Sequence, residues 1–276
     1  MSAIKILGIV NVTRDSFSDG GKFLSPEDAC AHARQLIADG ADAIDLGAES
    51  THPDAEDVPA ETEITRLDPV IRRLKSEGAQ ISVDTYKPAV MRHVAALGVD
   101  YINDVAALRE PEAVDAVRDV SAKLILMHSR APEARARRND VDPRIITDDI
   151  LRFFERRIET LSNTGIARGR LILDPGMGFF LGDNPEASLT VLRNLERLRQ
   201  FGLPLLVSTS RKSFIGAVTG TPDRPRPPME RGGGTLMTEI WAALHGTDYI
   251  RTHDVRALRD ALTMLSRLQG AETDGN

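Results

Sequence analysis

The stretch "AALGVDYIND" (residues 95–104) leads from the end of one predicted helix directly into a strand, and the same arrangement recurs twice. In "ADGADAID" (38–45) and in "ALHGTDYIRTHD" (243–254), a helix-like run again closes on glycine and an aspartate again precedes an apolar run. Glycine commonly ends helices because it adopts positive φ without steric cost. Helices that lead straight into strands are typical of α/β proteins with parallel sheets.

Eight short apolar runs of strand length alternate with longer amphipathic stretches along the whole chain. They are residues 4–10, 42–47, 80–85, 100–104, 123–128, 170–176, 203–208 and 248–254. These runs show no clean polar alternation, which suits strands buried on both faces. Eight units, with no glycine-rich phosphate loop after the first strand, favour a closed barrel over a doubly wound sheet. We therefore predict an α/β fold, a single-domain (β/α)8 TIM barrel spanning 1–276, with mobile loops at its C-terminal face and a disordered tail at 270–276.

Composition narrows the class of protein. The 276 residues carry a net charge of −6, which gives no basic surface for nucleic acid. The single cysteine, Cys30, excludes an intrachain disulfide and fits a reducing compartment. The apolar run at the start is too short for a signal sequence or a membrane span. We expect a cytoplasmic protein that acts on small molecules.

Nearly every predicted strand ends in an acid, an amide, a hydroxyl or an imidazole. In chain order these residues are Asn11, Asp45 with Glu49, Asp84, Asn103 with Asp104, His128, Asp174, Ser208 with Ser210, and Arg251 with His253. Active sites of (β/α)8 barrels lie at the carboxyl ends of the strands. One such residue alone is more often the N-cap of the next helix, but so many on one rim indicate a functional site.

Two acids and an amide among these residues suit a flat heterocycle. Asp84, Asn103 and Asp174 together can face the neighbouring N–H groups and the carbonyl of an aminopyrimidinone edge. The adjoining "DPGMGF" (174–179) contains two glycines that would let the backbone approach a ligand closely. Because Asp-Pro-Gly is also an ordinary turn, this segment is the weaker part of the indication.

Two further segments are suited to anions. In "SRKSFIGAVTG" (210–220), a helix begins beside Ser213 and two cations, a setting that favours a carboxylate or a phosphate. A serine-capped helix with solvated cations is the alternative interpretation. Arg251 and His253 share one face of the last strand and are placed to bind a second anion, with Asn11 placed to coordinate an accompanying metal.

The first rim loop, "NVTRDSFSDGGKF" (11–23), holds Phe17 among small polar residues. Phe17 either packs back on the rim or closes as a lid over an aromatic substrate. The second rim loop, "ESTHPDA" (49–55), gathers titratable groups around His52 at the end of a strand.

These motifs in this order resemble the dihydropteroate synthase family over almost the whole chain. The matching segments are "GIVNVTRDSFSDGG", "DLGAESTHPDA", "SVDTYKPAV", "INDV", "LMH", "LDPGMGF", "STSRKSFIG" and "IRTHDV". The resemblance implies a transferase that condenses 6-hydroxymethyl-7,8-dihydropterin diphosphate with p-aminobenzoate, giving 7,8-dihydropteroate and diphosphate in folate biosynthesis. It also implies a homodimer and a dissociative reaction in which Mg²⁺ and the Arg251 and His253 cations stabilise the leaving diphosphate.

The family's functional residues carry over by position. The pterin would contact Asp84, Asn103, Met127, Asp174, Phe179 and Lys212. The diphosphate would contact Asn11, Arg251 and His253, with Asn11 as the Mg²⁺ ligand. p-Aminobenzoate would contact Phe17, Thr51, His52, Pro53 and Ser213. The catalytic roles would belong to Lys212, Arg251, His253 and Asp84.

Three segments depart from the family's common pattern. Residues 50–54 have His52 where an arginine is usual, "DVAALREP" (104–111) is not the usual glycine-rich run, and residues 179–182 read Phe-Phe-Leu-Gly in place of Gly-Phe-Gly-Lys. The first and third of these resemble the sulfonamide-insensitive branch of the family. That branch's Phe-Gly pair after the Asn-Asp segment is not evident here, so we predict a housekeeping enzyme related to that branch, with sulfonamide insensitivity as the less favoured alternative.

Two other interpretations stay open. A corrinoid-type methyltransferase that uses methyltetrahydrofolate shares the Asp, Asn and Asp set, but it would need neither Phe17 in a lid nor the carboxylate site at Ser213. An inactive pterin-binding paralogue would act as a partner subunit, and the replacement of arginine by His52 is the one change that favours it.

Overall fold

The computed structural model describes residues 4–13, 25–50, 55–129, 142–221 and 223–270. Its strands are β1 (Lys5–Asn11), β2 (Ala43–Gly47), β3 (Ile81–Asp84), β4 (Tyr101–Asp104), β5 (Lys123–Met127), β6 (Leu171–Asp174), β7 (Leu206–Val207) and β8 (Tyr249–Thr252). All eight predicted strands are therefore present. The seventh is much shorter than predicted, because Pro204 has no N–H to donate to a sheet and regular pairing begins only beyond it.

The strands form one parallel sheet that curls into a barrel. Its order is β6-β5-β4-β3-β2-β1-β8-β7, so the first and last strands of the chain are neighbours. A single parallel bridge between Leu173 and Leu205 joins β6 to β7, and the Leu173 N–H donates to the Pro204 carbonyl at 2.9 Å. The predicted α/β (β/α)8 barrel is thus confirmed, with its weakest seam between β6 and β7.

Helices cover the outside of the sheet. They are α1 (Pro26–Ala38), α2 (Ala60–Ser76), α3 (Pro88–Ala96), α4 (Pro111–Val117), α5 (Ile146–Asn163), α6 (Pro185–Arg193), α7 (Ser213–Thr219), α8 (Gly232–Leu244) and α9 (Val255–Leu268). Ser25 caps α1 as predicted, because its hydroxyl accepts from the Asp28 N–H at 3.1 Å. No helix in the described ranges is long and apolar enough to cross a bilayer. The predicted mobile loops and tail include 14–24, 51–54, 130–141 and 271–276, which lie outside the described residues.

The barrel interior is filled by an apolar layer beneath the carboxyl ends of the strands. Its members are Leu7, Ala43, Tyr101, Ile125, Ile172, Leu206 and Tyr249. The two tyrosine rings meet edge to face, with centroids 6.1 Å apart. A larger cluster of buried aliphatic side chains lies between the strands and the helices. The interior layer is therefore a solid floor, and any ligand site must lie above it.

Candidate active site

A polar layer lies one step above this floor on the same strands. Side chains two residues apart on a strand point to the same side, so each floor residue predicts the residue above it. The residues so placed are Asp45 above Ala43, Asn103 above Tyr101, Met127 above Ile125, Asp174 above Ile172, Ser208 above Leu206 and Arg251 above Tyr249. All of these strand ends except the fully buried Asp45, together with Asp84 of β3, line an open cleft. The cleft is lined by Asp84, Asn103, Val105, Met127, Asp174, Met177, Phe180, Ser208, Lys212 and Arg251.

Arg251 is the central cation of the cleft. Its Nε donates to Asp45 on β2, and its second terminal nitrogen donates to Asp84 Oδ2 at 2.9 Å. Asp45 is completely buried, and the Arg251 side chain is only 13% exposed. The two carboxylates raise the pKa of Arg251 against the opposing effect of burial, so its charge is permanent. Sequence reasoning placed Asp45 on the rim but did not recognise it as the residue that fixes Arg251.

The two acids predicted to face a heterocycle have little contact with water, because Asp174 is 3% exposed and the Asp84 side chain is 16% exposed. Burial raises the pKa of Asp84 to about 7, although the Arg251 guanidinium beside it favours the ionised form. Burial likewise raises the pKa of Asp174 to about 6, although the Gly176 N–H donates to its Oδ1 at 2.8 Å. Asp84 is paired with Arg251, whereas Asp174 is costly to ionise until a ligand with N–H donors reaches it.

Three buried polar atoms in the polar layer have no hydrogen-bond partner among the described residues. They are Asn103 Oδ1, Ser208 Oγ and Asp45 Oδ1. An unpaired buried polar atom costs about 1–3 kcal/mol, so such atoms cluster where a ligand or water completes them. Asn103 and Ser208 line the cleft itself. Ser208 was named only as a strand-end residue from sequence, and its place above Leu206 is the signal that adds it to the site.

Lys212 supplies the second cation. It directly precedes α7, and its ammonium lies 5.0 Å from the centre of the Phe180 ring. Burial and the nearby Arg251 charge lower the pKa of Lys212 to about 8. Phe180 lines the cleft, whereas Phe179, the residue predicted to contact the pterin, packs against the Val105, Met127 and Phe180 cluster instead. The short helical turn over 178–180 sets this orientation, which sequence periodicity does not fix.

The glycines of the segment 174–179 have a different role from the predicted one. A Cβ at Gly176 would lie 2.3 Å from the His128 carbonyl oxygen, and φ there is +72°. A Cβ at Gly178 would lie 3.1 Å from Ser213 Oγ, with φ at +64°. Both close approaches are to the protein itself. The glycines therefore let this segment pack against the ends of β5 and α7.

His253 is held by its neighbour Ser210. The Ser210 hydroxyl lies 2.8 Å from His253 Nδ1 and accepts from the His253 backbone N–H at 3.2 Å. Burial and the positive charges of Arg211, Arg251 and Lys212 lower the pKa of His253 well below its usual value. His253 is therefore a neutral hydrogen-bonding group in this structure, and the cation that the family resemblance implies at this position stays a prediction for the site with diphosphate bound.

Asn11 stands on the rim next to Asp84. Both side chains flank Gly47, and the sheet register places Asn11, Gly47 and Asp84 in one row. Within the described ranges, no group of three or more His, Cys, Asp or Glu side chains could hold a metal by itself. A single amide oxygen nevertheless fits Mg²⁺, which usually keeps several waters and binds through substrate phosphates with few protein ligands. The residues present are therefore compatible with a metal that arrives with a phosphorylated ligand.

Of the five residues predicted to contact p-aminobenzoate, only Ser213 lies within the described ranges. Ser213 begins α7 beside Lys212 and touches the Gly178 position. Phe17, Thr51, His52 and Pro53 lie outside the described residues, so their roles stay predictions.

The base of the second rim loop is held by a buried ion cluster that sequence reasoning did not identify. Lys87 Nζ donates to Glu63 Oε2 at 2.8 Å and to Glu49, the residue at which "ESTHPDA" begins. Glu63 is 1% exposed and Glu49 is 6% exposed. The three residues come from α2, the start of α3 and the end of β2, so no local sequence pattern links them.

Known proteins are similar to this chain over nearly its full length. The pterin binding enzyme family matches residues 7–253. Dihydropteroate synthase type-2 of Escherichia coli is 48% identical over 265 residues, which are 96% of each chain. The structure of Xanthomonas albilineans dihydropteroate synthase with 4-aminobenzoic acid is 41% identical with a TM-score of 0.87, covering 98% of this chain and 95% of that one. The same enzyme in complex with 7,8-dihydropteroate is 39% identical with a TM-score of 0.83 at the same coverage.

Proposed function

The chain belongs to the pterin-binding enzyme family, and from this membership we propose that it is a dihydropteroate synthase. It transfers the pterin methylene group of 6-hydroxymethyl-7,8-dihydropterin diphosphate to the amine of p-aminobenzoate. The products are 7,8-dihydropteroate and diphosphate, and the reaction belongs to folate biosynthesis.

The observation that carries this proposal is the combination of one buried acid, one partly buried acid and one unpartnered amide oxygen in a single cleft. Asp84 and Asp174 accept hydrogen bonds from the N–H groups of the aminopyrimidinone edge, and Asn103 completes the edge with its free Oδ1. Lys212 donates to a ring carbonyl or nitrogen from the other wall. Burying each of these polar groups without a partner costs free energy, and hydrogen bonds to a flat, polar heterocycle would offset that cost.

Departure of the diphosphate is aided by the opposite wall of the cleft. The methylene C–O bond breaks, and its electron pair leaves on the diphosphate oxygen. Arg251 supplies permanent positive charge there, and His253 supplies an N–H donor. The pterin ring carries the resulting cationic character, and the Asp84 carboxylate compensates it from the side of the ring. This is the dissociative course of reaction.

The amine of p-aminobenzoate then forms the new C–N bond with its own lone pair and afterwards loses one proton. An aromatic amine is neutral at pH 7, so no protein base has to activate it, and His253 is assigned no such role. The carboxylate of this substrate binds at the start of α7, where Ser213 offers a hydroxyl beside Lys212.

Mg²⁺ is part of the same proposal. Asn11 would be its protein ligand, with the remaining positions taken by diphosphate oxygens and water. When bound, the ion supplies further stabilisation of negative charge on the leaving group.

A homodimer is also proposed, through α8 and α9. These two helices pack together and expose Met237, Leu244, Met264 and Leu268, each at least 41% exposed. Large apolar side chains grouped on neighbouring helices favour burial against a second copy. Sedimentation equilibrium should give twice the chain mass, and Met264→Glu should shift it toward the monomer while Met229→Glu, on the turn before α8, should not.

The decisive experiment is a coupled assay for dihydropteroate and for released diphosphate. Product formation should require both substrates and Mg²⁺, and Asp174→Asn should weaken it in parallel with pterin binding. Methyl transfer from methyltetrahydrofolate in place of condensation would favour the corrinoid-type enzyme. Pterin binding with no diphosphate release would favour the inactive paralogue and would reject the proposed activity.

A further inference from the structure

The turn that brings Lys212 into the cleft contains a residue in a strained backbone conformation. Arg211 has a φ of +57°, a value that glycine adopts freely but that residues with a Cβ atom disfavour. The Lys212 N–H donates to the Thr209 carbonyl at 3.0 Å, which closes the turn, and α7 begins at the next residue. Such a conformation persists only where the surrounding structure stabilises it, so the contacts of Arg211 decide where Lys212 lies.

Arg231 binds the carbonyl group of the strained residue. Its Nη1 donates to the Arg211 carbonyl at 2.6 Å, and its Nε donates to the Arg226 carbonyl at 2.8 Å. Burial lowers the pKa of the Arg231 guanidinium, and no carboxylate among the described residues offsets that effect. The two hydrogen bonds therefore tie the Arg211 turn to the segment that precedes α8.

Thr235 binds the amide group of the same residue. Its hydroxyl accepts from the Arg211 N–H at 3.1 Å, and its own N–H donates to the Arg231 carbonyl at 2.8 Å in the first turn of α8. Thr235 is 4% exposed, so water does not readily replace this contact. The N–H and the carbonyl of Arg211 are therefore both bound by side chains at the start of α8.

The segment 223–231, which is rich in proline and arginine, reaches the turn because α7 carries a glycine at their contact. A Cβ at Gly216 would lie 2.5 Å from Arg231 Nε and 2.6 Å from the Arg226 carbonyl oxygen. The Gly216 carbonyl in turn accepts from the Arg226 N–H at 3.0 Å. Gly216 therefore lets the Arg231 side chain pass close to α7 on its way to the strained turn.

We propose that Arg231 and Thr235 are positioning residues, which hold Arg211 at positive φ and so place the Lys212 ammonium in the cleft. Lys212 lines the cleft, with its ammonium 5.0 Å from the centre of the Phe180 ring. The ligand that Lys212 meets there is the pterin ring, and this part of the inference rests on the proposed function. Neither Arg231 nor Thr235 lines the cleft, so both act through the turn.

Calorimetry with 6-hydroxymethylpterin gives the Kd and the stoichiometry as separate quantities. Arg231→Met and Thr235→Val each remove one contact to the turn, and we expect the Kd to rise about three- to tenfold while the stoichiometry stays near one. Arg226→Met is the control, because it removes only the bond from Arg226 Nε to the Thr219 carbonyl and keeps the carbonyl that Arg231 binds. Its Kd should equal that of the wild type. A lower stoichiometry with an unchanged Kd in the first two variants would show a role in folding alone and would overturn the inference.

A double-mutant cycle with Arg211→Gly tests whether the strained turn carries the effect. Glycine adopts this φ without steric cost, so the turn then needs less support from its neighbours. In the Arg211→Gly background, Arg231→Met should raise the Kd by less than about twofold. An equal rise in the two backgrounds would mean that Arg231 affects binding by another route, and it would contradict the proposed positioning.

Hydrogen exchange of the unliganded protein examines the same contacts without a substrate. Arg231→Met and Thr235→Val should speed exchange of the Arg211 and Lys212 amides by at least about threefold, whereas Arg226→Met should leave it unchanged. Unchanged exchange in the first two variants, or faster exchange with an unchanged pterin Kd, would overturn the inference. A failure of dihydropteroate synthesis in the wild type would reject the proposed function and leave the exchange result interpretable.

Discussion

The two walls of the cleft are built from the same kind of strand end but carry opposite chemistry. The heterocycle wall (Asp84, Asn103, Met127 and Asp174, on β3 to β6) offers acids and an amide. The anion wall (Lys212, Ser213, Arg251 and His253, on α7, β8 and the turn after it) offers cations and a neutral imidazole. The difference shows how one barrel rim can receive a substrate with a neutral ring at one end and a multiply charged group at the other.

The walls are joined at one point, the contact between Arg251 and Asp84. This ion pair satisfies both residues before a ligand enters, and Asp45 fixes the arginine from beneath. In the proposed complex, diphosphate would bind Arg251 and the pterin ring would meet Asp84, on the two sides of this contact. Each prediction below perturbs one wall and asks whether the other follows.

The largest effect should come from Arg251→Leu. The variant removes the permanent cation of the anion wall, and we expect kcat/KM to fall on the order of 10²–10³-fold. It also leaves Asp45 and Asp84 without a counter-charge, which should lower the free energy of unfolding by about 3–5 kcal/mol. Steady-state kinetics and urea unfolding measure the two effects. Arg34→Leu breaks an exposed pair with Glu77 and serves as the control, with a change below about 1 kcal/mol and full activity. Equal losses of kcat/KM and of unfolding free energy in Arg251→Leu and Arg34→Leu would contradict the role of Arg251 as the central cation of the cleft.

On the heterocycle wall, Asp174→Asn should weaken activity while it increases the stability of the protein at pH 7.5. We expect the KM for the pterin substrate to rise roughly ten- to hundredfold, because a hydrogen bond to a charged acceptor is lost. The native-state pKa of Asp174, about 6, lies above the usual 3.8, so the native state binds this proton more tightly than the unfolded state. The contribution of Asp174 to the free energy of unfolding is therefore complete below about pH 4 and is lost as the pH rises through about 6.

The uncharged asparagine avoids that loss. The Asp174→Asn variant should therefore be more stable than wild type at pH 7.5, by on the order of 1–3 kcal/mol, and equally stable near pH 4. Asp68→Asn is the control of opposite sign, because Arg72 and His93 lower the pKa of Asp68 and its charge stabilises the fold. Thermal unfolding at the two pH values checks both variants. If Asp174→Asn were less stable than wild type at pH 7.5, the Asp174 carboxylate would stabilise the folded protein, and its proposed role in ligand binding would lose this support.

A smaller effect should distinguish the two adjacent phenylalanines. Phe180→Leu removes the ring beside the Lys212 ammonium, so we expect a two- to fivefold loss in kcat/KM, equivalent to about 0.5–1 kcal/mol. Phe179→Leu changes a side chain of the same size that does not line the cleft, and its kinetic constants should stay near the wild-type values. A larger loss in the Phe179 variant would support the pterin contact that the family resemblance implies for Phe179.

Sequence alone predicts the parts of this site that follow from regular structure. The strand period of two, with the rule that barrel sites lie at strand carboxyl ends, is enough to group Asp84, Asn103, Asp174 and Arg251. It does not predict the orientation of Phe179 and Phe180, which depends on an irregular turn. It also misses the ion cluster of Lys87, Glu49 and Glu63, because the three residues belong to different elements and meet only through packing. The effect of His52 in place of arginine stays a prediction, since that residue lies outside the described ranges.

Calorimetry with two ligands, each carrying one part of the pterin substrate, measures directly which wall binds the ring and which binds the anion. 6-Hydroxymethylpterin carries the ring without the charge, and inorganic diphosphate with Mg²⁺ carries the charge without the ring. We predict that Asp174→Asn weakens pterin binding by at least tenfold with little change for diphosphate, and that Arg251→Leu does the reverse. If each variant weakened both ligands equally, or if neither variant weakened either ligand, the assignment of a ring to one wall and an anion to the other would be contradicted.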